Sequence, residues 1–165
     1  AVQDAICSAY KELENLKEVM SNLYYENIEV SEVLNEKETR EYNEILLKMA
    51  SETVYQQSLK NLSKYLYRYY NQPTIILIDE YDAPIENGFI NGFYDNVINF
   101  MRKFFGAALK TNEYLKFACM TGILRVSKES IFSGLNNLKI YSILDERYSE
   151  YFGFLPKEVE KILDE

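Results

Sequence analysis

The chain has 165 residues, enough for one domain with one sizeable core, and its 47% hydrophobic and 27% charged composition is that of a folding chain, not a disordered one. It contains no histidine, which removes serine–histidine and cysteine–histidine nucleophile systems, histidine zinc sites and histidine acid/base chemistry together. A formal net charge of -8 leaves no surplus of basic residues to displace counterions from a phosphate backbone, so no direct nucleic-acid binding is expected.

Val2, Ile6, Ala9, Leu13, Leu16, Met20 and Leu23 recur at steps of three and four and predict an amphipathic helix from almost the first residue. That start, without an initiating methionine, suggests a piece of a longer chain. Asn27 to Glu36 breaks the pattern. A second helix is expected from Glu36 to Ala50 with Tyr42, Ile45, Leu46 and Met49 inward, and a third from Ser51 with Tyr55, Leu59, Leu62, Leu66 and Tyr69 on one face. Pro73 closes it, because proline cannot continue a helix and biases the preceding residue away from helical angles.

The period then changes. Thr74 to Ile78 is short, apolar and rich in β-branched residues, which reads as a central parallel strand buried on both faces. A loop holding Pro84 and Gly88 leads to a helix with Phe93, Val97, Met101, Phe104 and Leu109 inward. Leu115 to Thr121 is the second candidate strand, with Cys119 expected as a buried, reduced thiol, and Leu138 to Ile143 is a third. Pro156 suits the first turn of a last helix, Pro156 to Leu163. Strands alternating with helices predict an α/β fold with about three parallel strands flanked by helices. No apolar run approaches the roughly 20 residues of a membrane span, and no signal-peptide pattern is present, so the expected compartment is the cytoplasm.

Ile75-Ile76-Leu77-Ile78-Asp79-Glu80 has the form of a Walker B element: a buried strand that delivers two carboxylates to the sheet edge where ligands bind in open α/β folds. Successive strand residues point to opposite sides, so the two acids have different jobs: one to hold the water shell of Mg²⁺, the other to polarise an attacking water. An ordinary strand ending in solvated acids stays open as the plain alternative. The tyrosines at 65, 67, 69 and 70, beside Lys64 and Arg68, are read as packing groups in preference to base-stacking ones.

The longer run Ile76-Leu77-Ile78-Asp79-Glu80-Tyr81-Asp82-Ala83-Pro84-Ile85, with Thr121-Gly122-Ile123-Leu124-Arg125-Val126-Ser127-Lys128-Glu129-Ser130-Ile131-Phe132-Ser133-Gly134-Leu135-Asn136-Asn137, resembles the AAA-ATPase-like family. Tyr151-Phe152-Gly153-Phe154 with Glu158-Val159 matches the family's next landmark. These are P-loop proteins, usually followed in the longer chain by a PD-(D/E)XK nuclease-like domain. The resemblance implies ATP as substrate and Mg²⁺ as cofactor, with Asp79 the Mg²⁺-associated acid and Glu80 the general base. It also makes Thr121 a sensor-like residue near the γ-phosphate or attacking water. Arg125 would reach a phosphate or a neighbouring subunit, with a surface salt bridge equally open. Asp82 could extend the acidic cluster, a cap of the turn before Pro84 being the favoured reading. Ser127, Lys128, Ser130 and Asn136 are polar enough for a nucleotide or partner surface, a satisfied loop being the favoured reading.

One departure stands out. The phosphate cradle G-x-x-x-x-G-K-[ST] is absent: none of the six glycines is followed by lysine. By the resemblance, all of residues 1–165 form one incomplete domain, with the Walker A strand and loop missing upstream and the lid missing downstream. No lysine has an acid two residues before it, so the nuclease signature is not in this stretch. The expected activity is therefore ATP binding and hydrolysis by the complete parent protein, this chain alone being inactive; the alternative is a regulatory or partner-binding module without turnover.

Overall fold

A computed structural model describes residues 14–15, 17–123, 131–132, 135, 138–142, 145–151 and 153–163. The chain divides into two compact units, Ala1–Leu135 and Asn136–Glu165. The first contains helix α1 (residues 17–26), a 3-10 turn at Ile28–Val33, α2 (Glu36–Leu46), α3 (Glu52–Tyr70), β1 (Thr74–Ile78), α4 (Ala83–Ile90), α5 (Tyr94–Leu109) and β2 (Leu115–Met120). The second holds a 3-10 turn at Glu146–Tyr151 and α6 (Pro156–Leu163). The fold is mixed α/β.

The helix boundaries follow from their caps. Asn35 and Glu38 form a reciprocal capping box at the start of α2, and Ser51 accepts from the Val54 N–H at the start of α3. Asn71, left-handed at φ 51, ends α3 just before Pro73. α2 stops at Leu46, short of the expected Ala50: Lys48 turns left-handed, and the N–H groups of Met49 and Ala50 both donate to the Glu44 carbonyl. That tight turn swings Met49 into solvent, where an inward position was expected.

Three buried tyrosines join the first helices. The Tyr24 and Tyr42 rings lie 4.7 Å apart, and Tyr42 and Tyr65 lie 6.2 Å apart. Tyr24 donates to the Ser58 carbonyl at 2.7 Å; the Tyr42 hydroxyl lies 2.5 Å from the Tyr24 carbonyl and 2.9 Å from that of Asn27, sharing its proton between them. Burial pushes Tyr24 well up and Tyr42 up to about 12, so both remain donors across the ordinary pH range. Tyr67, Tyr69 and Tyr70 keep a solvated edge, and Tyr70 donates to Glu29 at 2.6 Å. Lys64 and Arg68 are occupied elsewhere: Lys64 donates to Glu38 Oε1 at 2.5 Å and Arg68 to Oε2 at 2.7 Å, tying α3 to α2.

Sequence and structure differ at the sheet. β1 and β2 pair in parallel with Ile75 opposite Phe117, Ile76 opposite Ala118, Leu77 opposite Cys119 and Ile78 opposite Met120. Among the described residues the sheet has these two strands, not three. The expected third strand at Leu138–Ile143 is not extended pairing over residues 138–142, and Ile143 lies outside the described residues. The Ser142 N–H is drawn into a local turn, donating to Asp145 Oδ2 at 2.5 Å while the Asp145 N–H donates back to the Ser142 carbonyl at 2.9 Å. A donor committed to a turn is lost to a ladder.

β1 is also not buried on both faces. Ile76 is 5% exposed, but Ile75 is 54% and Leu77 73% exposed, and Phe117 beside them is exposed too. Cys119 shares that outer face and is exposed, correcting the expectation of a buried thiol. Side chains alternate across a strand, and among the described residues packing reaches only the Ile76 face. α3 packs along α5 and meets β1, where the Thr74 hydroxyl donates to the Ser63 carbonyl at 3.1 Å.

The segment with Pro84 and Gly88 is helix α4, not a loop. Proline in the first helical turn gives up an N–H that has no intrahelical partner there. Gly88 lets α4 approach α5, since a Cβ in its place would sit 3.1 Å from Val97 Cγ2. Leu155 precedes α6 without a capping hydroxyl, and Glu158 supplies only the reciprocal half of a capping box by taking the Leu155 N–H at 2.7 Å. No helix among the described residues is long and apolar enough to cross a membrane.

Burial opposes the charge on Glu38, but hydrogen bonds from Lys64, the Asn35 backbone and Arg68 outweigh it and lower its pKa from 4.5 to about 2. A depressed carboxyl contributes stability that is complete above 4.5 and lost as pH falls toward about 2. Glu38→Gln should therefore destabilise the chain at neutral pH by on the order of 2 kcal/mol. Urea titrations followed by far-UV circular dichroism should show that gap closing between pH 4.5 and about 2; a gap independent of pH would mean the triad does not act through charge.

Candidate functional site

Parallel pairing places the carboxyl ends of β1 and β2 at one edge of the sheet, and the Ile78–Met120 register sets the next residues, Asp79 and Thr121, opposite each other. The backbone ladder continues past both strands. The Thr121 N–H donates to the Ile78 carbonyl at 2.9 Å, and the Thr121 carbonyl accepts from the Tyr81 N–H at 3.1 Å. Those two bonds bracket Asp79 and Glu80. Between them the Thr121 hydroxyl donates to Asp79 Oδ1, which also accepts the Glu80 N–H at 3.0 Å.

Glu80 has φ 51, in the left-handed region that a β-carbon disfavours. The chain reverses there: the Glu80 carbonyl accepts from the Ala83 N–H at 3.0 Å and α4 begins at once. A glutamate in that conformation is strained, and such strain gathers where a side chain must be aimed. Asp79, Glu80 and Thr121 are all exposed at the sheet edge.

Asp79 and Thr121 are thus brought into contact, with Glu80 adjacent on the same edge. Arg125, Ser127, Lys128, Ser130 and Asn136 lie outside the described residues. Asp82 occupies the N-cap position of α4 but makes no side-chain cap bond, which corrects its expected role. Its side chain is buried, 5% exposed, and packs against Gly122. That pairing is not readable from composition or period; its one sequence trace is the glycine immediately after Thr121.

The groups at the edge are carboxylate and hydroxyl oxygens, hard donors suited to Mg²⁺ and not to soft metals. Among the described residues no cluster of three or more acidic, cysteine or histidine side chains forms a closed cage. Mg²⁺ is commonly held by one or two carboxylates together with water and substrate phosphates, so this donor set fits it. A separate cavity of about 490 Å³ between α2 and α3, bordered by Glu38, Glu41, Gln57 and Lys64, includes none of the strand-end residues.

Comparison with known proteins bears on the same stretch. The family model AAA-ATPase_like, described as "Predicted AAA-ATPase", matches residues 8–132, which take in both strands and their ends. A segment of 89 residues is 33% identical to the protein described as "Uncharacterized protein in vnfD 5'region" of Azotobacter chroococcum mcd 1. That match takes in 53% of this chain and 17% of the relative. No solved structure matches the chain.

The left-handed backbone at position 80 makes a prediction independent of chemistry. At an ordinary position alanine is better tolerated than glycine; here Glu80→Gly should be more stable than Glu80→Ala by about 1 kcal/mol. Chemical denaturation of the two variants measures this. Alanine equal to or better than glycine would mean Glu80 is not held left-handed in solution.

Proposed function

The chain belongs to the AAA-ATPase-like family, and from that membership we propose that β1 and β2 are the Walker B and sensor strands of a P-loop-type ATPase site that works in a longer parent protein. The observation that carries this reading is the contact between the Thr121 hydroxyl and the Asp79 carboxylate at the carboxyl end of two parallel strands. That edge is where open α/β sheets bind ligands.

In this proposal Asp79 would hold Mg²⁺ through its water shell, with Thr121 beside it as the sensor-like residue, and the ion when bound would supply charge neutralisation for the phosphates of ATP. Glu80, turned out by its left-handed backbone, accepts the proton of the attacking water. Thr121 has its proton committed to Asp79, so its oxygen is an acceptor for water; contact with a γ-phosphate would require the hydroxyl to turn. Arg125 is proposed to reach a phosphate or a neighbouring subunit. The phosphate cradle must come from outside these 165 residues, because no glycine here is followed by lysine. The small share of the relative that the match covers is consistent with such a parent. A nuclease-like domain in the same parent and a cytoplasmic location belong to this reading as proposals.

The absent cradle also favours a second reading, a regulatory or partner-binding module without turnover. The two readings separate by experiment. In the full-length parent, Glu80→Gln should abolish ATP hydrolysis while nucleotide binding survives, because the amide keeps the shape and loses the base. This chain alone should bind Mg²⁺-ATP too weakly for calorimetry to register, since the strand end presents mainly negative charge to a polyanion. A parent that does not hydrolyse ATP even without the substitution would favour the module, unchanged hydrolysis by the parent variant would remove Glu80 as the base, and micromolar binding by the chain alone would show that the cradle is not needed.

A further inference from the structure

Asp82 is a buried carboxylate that the proposed chemistry does not use. It stands at the N-cap position of α4, where an aspartate ordinarily turns toward the helix N–H groups, yet it makes no such bond. Its side chain lies instead against the residue that follows Thr121. A Cβ built on Gly122 would fall 2.6 Å from Asp82 Oδ1 and 2.9 Å from its Cγ. The same Cβ would fall 2.7 Å from Tyr81 Cε1, so Gly122 is wedged between two consecutive side chains of the opposing strand end. Both are anchored. Tyr81 sets its ring edge against Phe132 at 5.4 Å, and Phe132 stacks on the buried Phe105 of α5 at 6.3 Å. Asp82 is fixed by α4, in whose first turn the Ile85 and Glu86 N–H groups donate to its carbonyl at 3.0 and 2.9 Å.

From this packing we propose that Asp82 is a positioning residue: with Tyr81 it clamps Gly122, and through Gly122 it holds the Thr121 hydroxyl on Asp79. The clamp acts one residue beyond the last ladder bonds. Tyr81 N–H to Thr121 carbonyl and Thr121 N–H to Ile78 carbonyl fix the Thr121 backbone, and Gly122 follows them beyond the end of β2 at Met120. A side chain at 122 would push that backbone away, and a smaller residue at 82 would let it drift. Gly122 is required for space alone, since its φ is not in the left-handed region. The inference rests on the ATPase reading only for its consequence in turnover; the clamp itself is a statement about the strand end.

Two variants and two readouts test it. In this chain, Asp82→Ala and Gly122→Ala should each lower hydrogen-exchange protection of the Tyr81 amide about tenfold, with amides inside β1 and β2 much less affected. Gly122→Ala leaves the carboxylate in place and crowds it, so it reports on the clamp even if Asp82→Ala unfolds the whole chain. In the full-length parent, each variant should lower kcat about tenfold with KM for ATP nearly unchanged, a split that a general loss of folded protein does not imitate once active sites are titrated. Protection unchanged in both variants overturns the clamp whatever turnover does. Lost protection in a parent that never hydrolyses ATP upholds the clamp and counts against the ATPase reading. Lost protection with full turnover overturns the assignment of Asp82 as a positioning residue.

Discussion

The parallel pairing of β1 with β2 is the constraint on which the rest of the candidate site depends. Parallel strands present the same end to the same edge, and antiparallel ones would have put Asp79 and Thr121 at opposite ends of the sheet. Parallel neighbours also need a crossover, and α4 with α5 supplies it between Ile78 and Leu115. The register then does the finer work. A slip of one residue would turn Ile76 outward and Leu77 inward, and would move the threonine hydroxyl off the aspartate.

Pairing alone leaves the strand ends free to splay, and small residues permit the contacts that stop them. Gly88 admits Val97 and so lets α4 lie on α5; Gly122 admits Asp82 and Tyr81 and so lets the backbone after β2 lie on the turn after β1. The left-handed Glu80 joins these two features. It ends β1 abruptly enough for α4 to begin within a few residues, which carries Asp82 to Gly122.

The helices ahead of the sheet are joined by paired polar groups, the buried Tyr55 hydroxyl of α3 being the exception among the described residues. Glu38 meets a backbone N–H, an ammonium and a guanidinium, and Tyr24 and Tyr42 spend their protons on carbonyls of neighbouring segments. Such groups contribute less net stability than the apolar contacts around them, but they cost heavily if mispaired, so they select one arrangement of α1, α2 and α3. The pocket-forming surface between α2 and α3 follows from this bridging and stands apart from the strand-end chemistry.

Local pattern was enough for the elements whose cause is local. The period of Tyr55, Leu59, Leu62, Leu66 and Tyr69 marked α3, although Tyr69 proves exposed and Tyr65 buried; the β-branched run at Thr74–Ile78 marked β1, and Asp79-Glu80 at its end marked the candidate site. Proline and glycine in Ala83–Ile90 hid a helix, because both residues break helices in the interior while a first-turn proline and a close-packed glycine do not. Leu138–Ile143 was expected as a third strand, but Asp145 captures the Ser142 donor in a turn. The number of strands, the exposure of Leu77 and Cys119, and the meeting of Asp82 with Gly122 were decided by tertiary structure alone. Each depends on which surface another element covers, and that information lies in contacts between residues far apart in the chain, where periodicity and propensity carry no signal.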